Sequence, residues 1–311
     1  MESNSLKISV QTGGIFRATT NDRDFLEGKF KLISESGFEA VDYNIDHFVN
    51  FKNNDYFWNK DIDELIEYFS VTKGVADKYN IGFSQAHAVF PFYVEGDDEL
   101  SDYLIMSIEK NMAICEYLGC PMIVVHSYCS NDESEKDFEL NLSLYKKLIP
   151  AAKKYSVKIC LENGFRVWEN RGLDGGMCSD ADEALKYINA LNEAAGEDVF
   201  GFCLDTGHAN VLKKDIKTFI KKLGKHLLCL HIHDNYEIFD AHLFPFTQIC
   251  PGFGKSVDWD RFVEGLKEIE YRGDLSFECF RAVHLLPDEL KSDGLKFLSA
   301  IGRYFRNRII K

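Results

Sequence analysis

Four short apolar runs in this chain each end in a residue that can hold a proton or a metal. They read I-C-L-E at 159–162, F-G-F-C-L-D at 200–205, L-C-L-H at 228–231 and L-S-F-E at 275–278, ending in Glu162, Asp205, His231 and Glu278. A short apolar run bounded by polar residues is the signature of a strand buried on both faces, as in a parallel sheet. A carboxylate or imidazole at its last position emerges where the core stops. Four such tips describe one site only if the sheet curls back on itself.

The rest of the chain predicts that closure. Strands are expected at 7–12, 38–44, 81–87, 121–126, 157–162, 199–205, 226–231 and 275–278. Between them, helices are expected at 22–36, 61–79, 100–118, 132–155 with a break or kink near Pro150, a Ser179-capped segment to 194, 216–223, a segment capped by Asp258, and 288–305. Gly37 and Gly119 close the first and third of these, and Leu104, Ile108, Met112 and Cys115 recur at helical spacing. A Gly-rich loop (Gly164, Gly172, Gly175, Gly176) is expected after the fifth strand. Eight strands alternating with helices and no composition break predict an α/β chain forming one domain over residues 1–311, a (β/α)8 TIM barrel. An open doubly wound sheet would not carry the ends of strands three to eight to one centre.

Strand alternation puts Cys160 with Glu162, Cys203 with Asp205, and Cys229 with His231 on shared faces. These thiols are therefore expected to pack the barrel interior beneath the polar tips. Nine cysteines with no C-x-x-C pair do not suit a disulfide framework. The first residues lack the basic start of a signal peptide, and no run approaches the roughly 20 apolar residues of a membrane span. A cytoplasmic, reducing setting is therefore expected. The formal net charge of -14 weighs against nucleic acid and anionic membranes as partners.

Three carboxylates and an imidazole crowded at one point repel unless a cation compensates them. An oxygen-rich set with one nitrogen suits one divalent metal: Mn2+, Mg2+, Co2+ or Zn2+.

Further motifs sharpen this reading. L-E-N begins at Leu161, L-D-T-G-H-A at Leu204, H-I-H-D-N at His231, P-G-F-G-K-S-V-D-W at Pro251 and Y-R-G-D-L-S-F-E at Tyr271. With these the chain resembles the xylose isomerase-like TIM-barrel superfamily of sugar isomerases, epimerases and endonuclease IV. The resemblance implies that Glu162, Asp205, His231 and Glu278 are metal ligands and that His208 lies beside substrate or a second metal. In ketose epimerases of this superfamily the acids matching Glu162 and Glu278 also move the protons. The implied chemistry is coherent. A metal gripping a carbonyl and an adjacent hydroxyl stabilises an enediolate, while carboxylates on opposite faces remove and return the proton. The expected activity is isomerisation or epimerisation of a small sugar, sugar phosphate or polyol. His87, His126, His208 and Arg166 are expected at the substrate, and Arg166 and Arg281 suit an acidic or phosphorylated group.

Endonuclease IV gives the alternative, an abasic-site nuclease with a multinuclear zinc site. Its additional ligand positions are matched by His87, His126, His208, Asp240 and His242. The acidic balance ranks it second. Departures also weigh against a simple ketohexose 3-epimerase. Phe253 stands where relatives often carry Glu, His233 where many carry Lys, and no Arg occurs between His231 and Arg261. Another polyol, inosose or sugar acid fits equally. Loop aromatics, among them Phe16, Phe48, Trp58, Phe90 and Trp168, suit either a sugar pocket or a homo-oligomer contact.

Overall fold

The computed structural model describes residues 6–16, 19–45, 56–130, 134–168, 172–247 and 254–311. The expected loop residues Phe48 and Pro251 to Phe253, and the expected helix start at residue 132, lie outside them.

The strands are β1 (Ile8–Gln11), β2 (Ala40–Asn44), β3 (Gly82–His87), β4 (Met122–Val124), β5 (Lys158–Glu162), β6 (Phe165–Trp168), β7 (Gly172–Gly175), β8 (Phe200–Asp205), β9 (Leu227–His231) and β10 (Leu275–Phe277). Eight of them pair in parallel in the order β10-β1-β2-β3-β4-β5-β8-β9. The circle closes just past β9. The Ile232 N–H donates to Ser276 O at 2.8 Å, and the Glu278 N–H donates to Ile232 O at 3.1 Å. The expected barrel is therefore what the chain forms, and all the strand tips open on one face.

The helices are α1 (Arg23–Glu35), α2 (Ile62–Lys78), α3 (Asp98–Leu118), α4 (Ser134–Tyr155), α5 (Ala181–Ala195), α6 (Thr206–Val211), α7 (Ile216–Leu223), α8 (Trp259–Glu268), α9 (Phe280–His284) and α10 (Asp288–Ile310). Aspartate starts most of them. Asp22, Asp97, Asp180, Asp205, Asp215 and Asp258 each accept a backbone N–H in the first turn, and Asp61 forms a capping box with Glu64. Each such cap is worth about 1 kcal/mol, and its charge also favours the helix dipole. Part of the acidic surplus is thus structural.

Three local expectations are corrected. The cap of α5 is Asp180, not Ser179, because its carboxylate accepts from both the Asp182 and Glu183 N–H groups. Of the break or kink expected near Pro150, the break is absent: α4 runs through Pro150, with Tyr145, Leu148, Ala151 and Ala152 buried around it. The Gly-rich stretch after β5 is a β6–β7 hairpin, with Phe165 paired to Gly175 and Trp168 to Gly172.

Packing beneath the tips follows the strand alternation. Val124, Cys160, Cys203 and Cys229 form a separate buried cluster inside the barrel. Outside it, Trp259 of α8 stacks on Phe305 of α10 at 5.2 Å, and Phe305 lies parallel to Phe277 of β10 at 6.4 Å. Among the described residues no helix is long and apolar enough to cross a membrane.

Candidate active site

Glu162, Asp205, His231 and Glu278 end four successive barrel positions, and each offers a ligand atom within 4.8 Å of the others. All four are buried. Glu162 Oε1 stands 2.7 Å from His231 Nδ1, and Glu278 Oε2 stands 3.6 Å from the same nitrogen. The adjacent Asn163 explains part of this register. Its side chain accepts the Asp205 N–H at 2.8 Å and donates to Asp205 O at 2.9 Å, stitching β5 to β8.

Two shells of side chains flank this centre. On one side, His126 Nε2 approaches Glu162 Oε2 to 2.7 Å, off the hydrogen-bond axis. His87 Nδ1 meets Asp42 Oδ1 at 2.9 Å while its Nε2 lies 3.4 Å from Glu278 Oε1. Gln11 donates to that same Glu278 oxygen at 2.7 Å.

The other side is built by α6 and the loop after β9. Asp205 is both the last residue of β8 and the N-cap of α6, accepting the His208 N–H at 2.6 Å. That cap swings His208 back over the barrel mouth. His208 donates its Nδ1–H to Asn163 O at 2.8 Å, and His242 donates its own to Glu278 O at 2.7 Å. A carbonyl can only accept, so both rings present Nε2 outward, and both face Asp240 Oδ2, at 3.7 and 2.6 Å. His242 takes a left-handed backbone, φ 49°, to do this. His233 stacks on His242 at 4.0 Å and meets Asp205 Oδ2 at 3.0 Å.

The charges balance one another. Burial alone would raise the Glu162 and Glu278 pKa values, but the surrounding imidazoles hold both carboxyls well below the usual range. Asp240 is likewise held low by His208, His242 and His233 against its own burial. Burial opposes protonation of the histidines, yet Asp42 raises His87 to about 10 and Asp205 raises His233 to about 9.

The donor set fits a divalent cation. Three carboxylates and an imidazole converge, and the buried Glu162 Oε2 has no aligned hydrogen-bond partner. Such a crowd of buried acids is stabilised by an ion that replaces imidazolium protons. Histidines outside the four could hold more ions, with Asp205, His208 and His233 forming one further group and His233, His242 and Glu278 another.

The expected substrate residues separate into two classes. His87, His126 and His208 join the cluster. Arg166 sits on the hairpin strand β6, where its guanidinium donates to Asp137 Oδ2 at 2.6 Å and its Nε to Cys129 Sγ at 2.7 Å. Arg281 is exposed on α9, beside the Phe280 ring. Phenylalanines flank the outer histidines: Phe90 beside His126 at 5.3 Å, Phe165 beside His208 at 4.9 Å, Phe280 beside His242 at 4.2 Å. Asp42 and Gln11 escape sequence reasoning: Gln11 ends β1 and Asp42 lies in the middle of β2, with no motif around either. Asn163 is visible only as the last letter of L-E-N, with no role attached to it. His233 stands out merely as a departure from lysine.

Solved structures that share this barrel include carbohydrate enzymes. A D-tagatose 3-epimerase-like protein is 22% identical with a TM-score of 0.66, covering 96% of this chain and 99% of its own. An L-ribulose 3-epimerase is 18% identical with a TM-score of 0.68, covering 98% and 95%. An IolI protein with a bound zinc atom is 20% identical with a TM-score of 0.65, covering 98% of both chains. Among curated proteins, an uncharacterised protein of Sinorhizobium fredii is 25% identical over 171 residues, 55% of this chain. The match spans about half the length of that relative, 51%. The family profile described as xylose isomerase-like TIM barrel matches residues 30–301, and the chain belongs to that family.

Proposed function

We propose that the chain is a divalent-metal-dependent isomerase or epimerase of a small sugar, sugar phosphate or polyol. The observation that carries this reading is the position of Glu162 and Glu278. They end the first and last of the four liganding barrel positions, and each reaches toward His231 Nδ1. A substrate lying across His231 would therefore meet a carboxylate from either side.

Glu162, Asp205, His231 and Glu278 would hold the cation. When bound, it supplies positive charge beside the sugar oxygens, stabilising the anion left when a neighbouring C–H is deprotonated. The protein's own residues do the rest. One of the two glutamates accepts the proton from carbon and the other returns one from the opposite face, inverting that centre. The imidazole neighbours favour the ionised form that accepts the proton from carbon, and the glutamate that returns one must first take it from a neighbouring imidazolium or from solvent. Gln11 and His87 occupy Glu278 Oε1, which leaves Oε2 toward the centre. Phe90, Phe165 and Phe280 give apolar surface against which the C–H faces of a sugar can lie.

The test is solvent exchange. The metal-loaded protein, given a panel of ketoses and keto sugars in D2O, should wash deuterium into one carbon of its substrate. E162Q and E278Q should each slow this by about 10²- to 10⁴-fold. Wild-type exchange in both variants contradicts the assignment.

A second reading, a multinuclear hydrolase of the endonuclease IV kind, is favoured by one feature. His208 and His242 both commit Nδ1 to carbonyls and aim Nε2 at Asp240, the outer hydrogen bonding that fixes metal-binding histidines. It predicts three ions per chain and incision of abasic DNA. One ion and no incision removes it.

A further inference from the structure

Asp42 is fully buried in the middle of β2, and neither composition nor motif gives it a role. Burying an isolated carboxylate is costly, so such a group persists only where partners offset that cost. Its partners are unusual. Oδ1 is hydrogen-bonded to His87 Nδ1 at 2.9 Å. Oδ2 lies 3.2 Å from His231 Nε2, off the hydrogen-bond axis, and that nitrogen has no other partner among the described residues. Gln85 donates to the same Oδ2 at 3.2 Å and to Leu230 O at 3.3 Å, tying Asp42 to the β9 backbone just before His231. The two imidazoles stack with centroids 4.4 Å apart and planes only 7° from parallel. One carboxylate thus spans one edge of a two-ring stack.

The opposite edges are what matter. With Nε2 turned to Asp42, His231 presents Nδ1 to Glu162 Oε1 and Glu278 Oε2. With Nδ1 turned to Asp42, His87 presents Nε2 to Glu278 Oε1 and Gln11 Nε2. We propose that Asp42 is the positioning residue of the metal site: it orients both rings and leaves Nδ1 of His231 as the coordinating atom. The proposal rests on the metal-site reading above. A carboxylate suits this task because both its oxygens accept. An asparagine offers one acceptor and one donor, so it can accept an N–H from only one of the two rings.

Two measurements test it. The first titrates Mn2+ into the metal-free wild-type chain and D42N, with thermal melting as the check on folding. D42N keeps the volume of the side chain and removes no ligand. Its affinity should fall about 10- to 100-fold at unchanged stoichiometry, the usual effect of losing a ligand's outer partner. The second uses no variant. In the Zn2+-loaded wild-type protein with 15N-labelled histidine, His231 should show a coordinated Nδ1 and a protonated Nε2, and it decides the matter if D42N does not fold. Unchanged affinity in D42N, or coordination through Nε2, overturns the positioning role while leaving the metal site intact. A lowered stoichiometry in D42N also overturns it, because Asp42 would then be a ligand. A wild-type chain that takes up no divalent ion defeats the metal reading and this proposal together.

Discussion

His233 Nε2 lies 3.0 Å from Asp205 Oδ2, and the ring fits there because residue 207 has no side chain. A Cβ on Gly207 would stand 1.9 Å from His233 Cε1. G207A should therefore displace the imidazole and cost about 1–3 kcal/mol, the usual penalty for overpacking a filled core. Chemical denaturation checks this, and wild-type stability in G207A contradicts the packing described.

Arg166 offers a sharper separation of roles. Asp137 is buried, and Arg166 is the cation that neutralises it. R166A should cost about 3 kcal/mol by stranding that carboxylate, with KM for the substrate unchanged. Melting and steady-state kinetics on the same variant decide the matter. A raised KM with full stability would return Arg166 to the substrate, where the sequence pattern puts it.

The thiols of Cys160, Cys203 and Cys229 are packed in the barrel floor. In the native protein they should stay silent to a thiol reagent and react only after unfolding. C203A should cost about 1 kcal/mol, as expected for a small buried cavity. Rapid labelling of Cys203 in the native state would contradict its burial.

His126 tests the number of ions. Its Nε2 touches Glu162 Oε2, so in a one-metal enzyme H126A should lower kcat/KM and leave the metal content of the chain unchanged. Elemental analysis reads this directly. Loss of one ion on substitution would support the multinuclear site instead.

Much of the barrel and its centre is legible in the amino-acid sequence itself. Runs such as F-G-F-C-L-D carry both a buried strand and the residue at its tip, so the barrel and the four candidate ligands follow from the same letters. The cysteine layer follows from strand alternation alone. Other parts depend on distance relations that no local pattern contains. Asp42 differs in sequence from no solvated aspartate and gains its meaning from His87 and His231, which lie 45 residues and far more along the chain. The α6 cap is hidden because Asp205 does two jobs, ending a strand and starting a helix. The β6–β7 hairpin is hidden by its glycines, which read as loop.

The most direct test of the metal centre is anomalous diffraction from crystals grown with Mn2+. One ion should appear among Glu162, Asp205, His231 and Glu278, bound through Nδ1 of His231. An empty cluster, or ions held only by His208, Asp240 and His242, would contradict it.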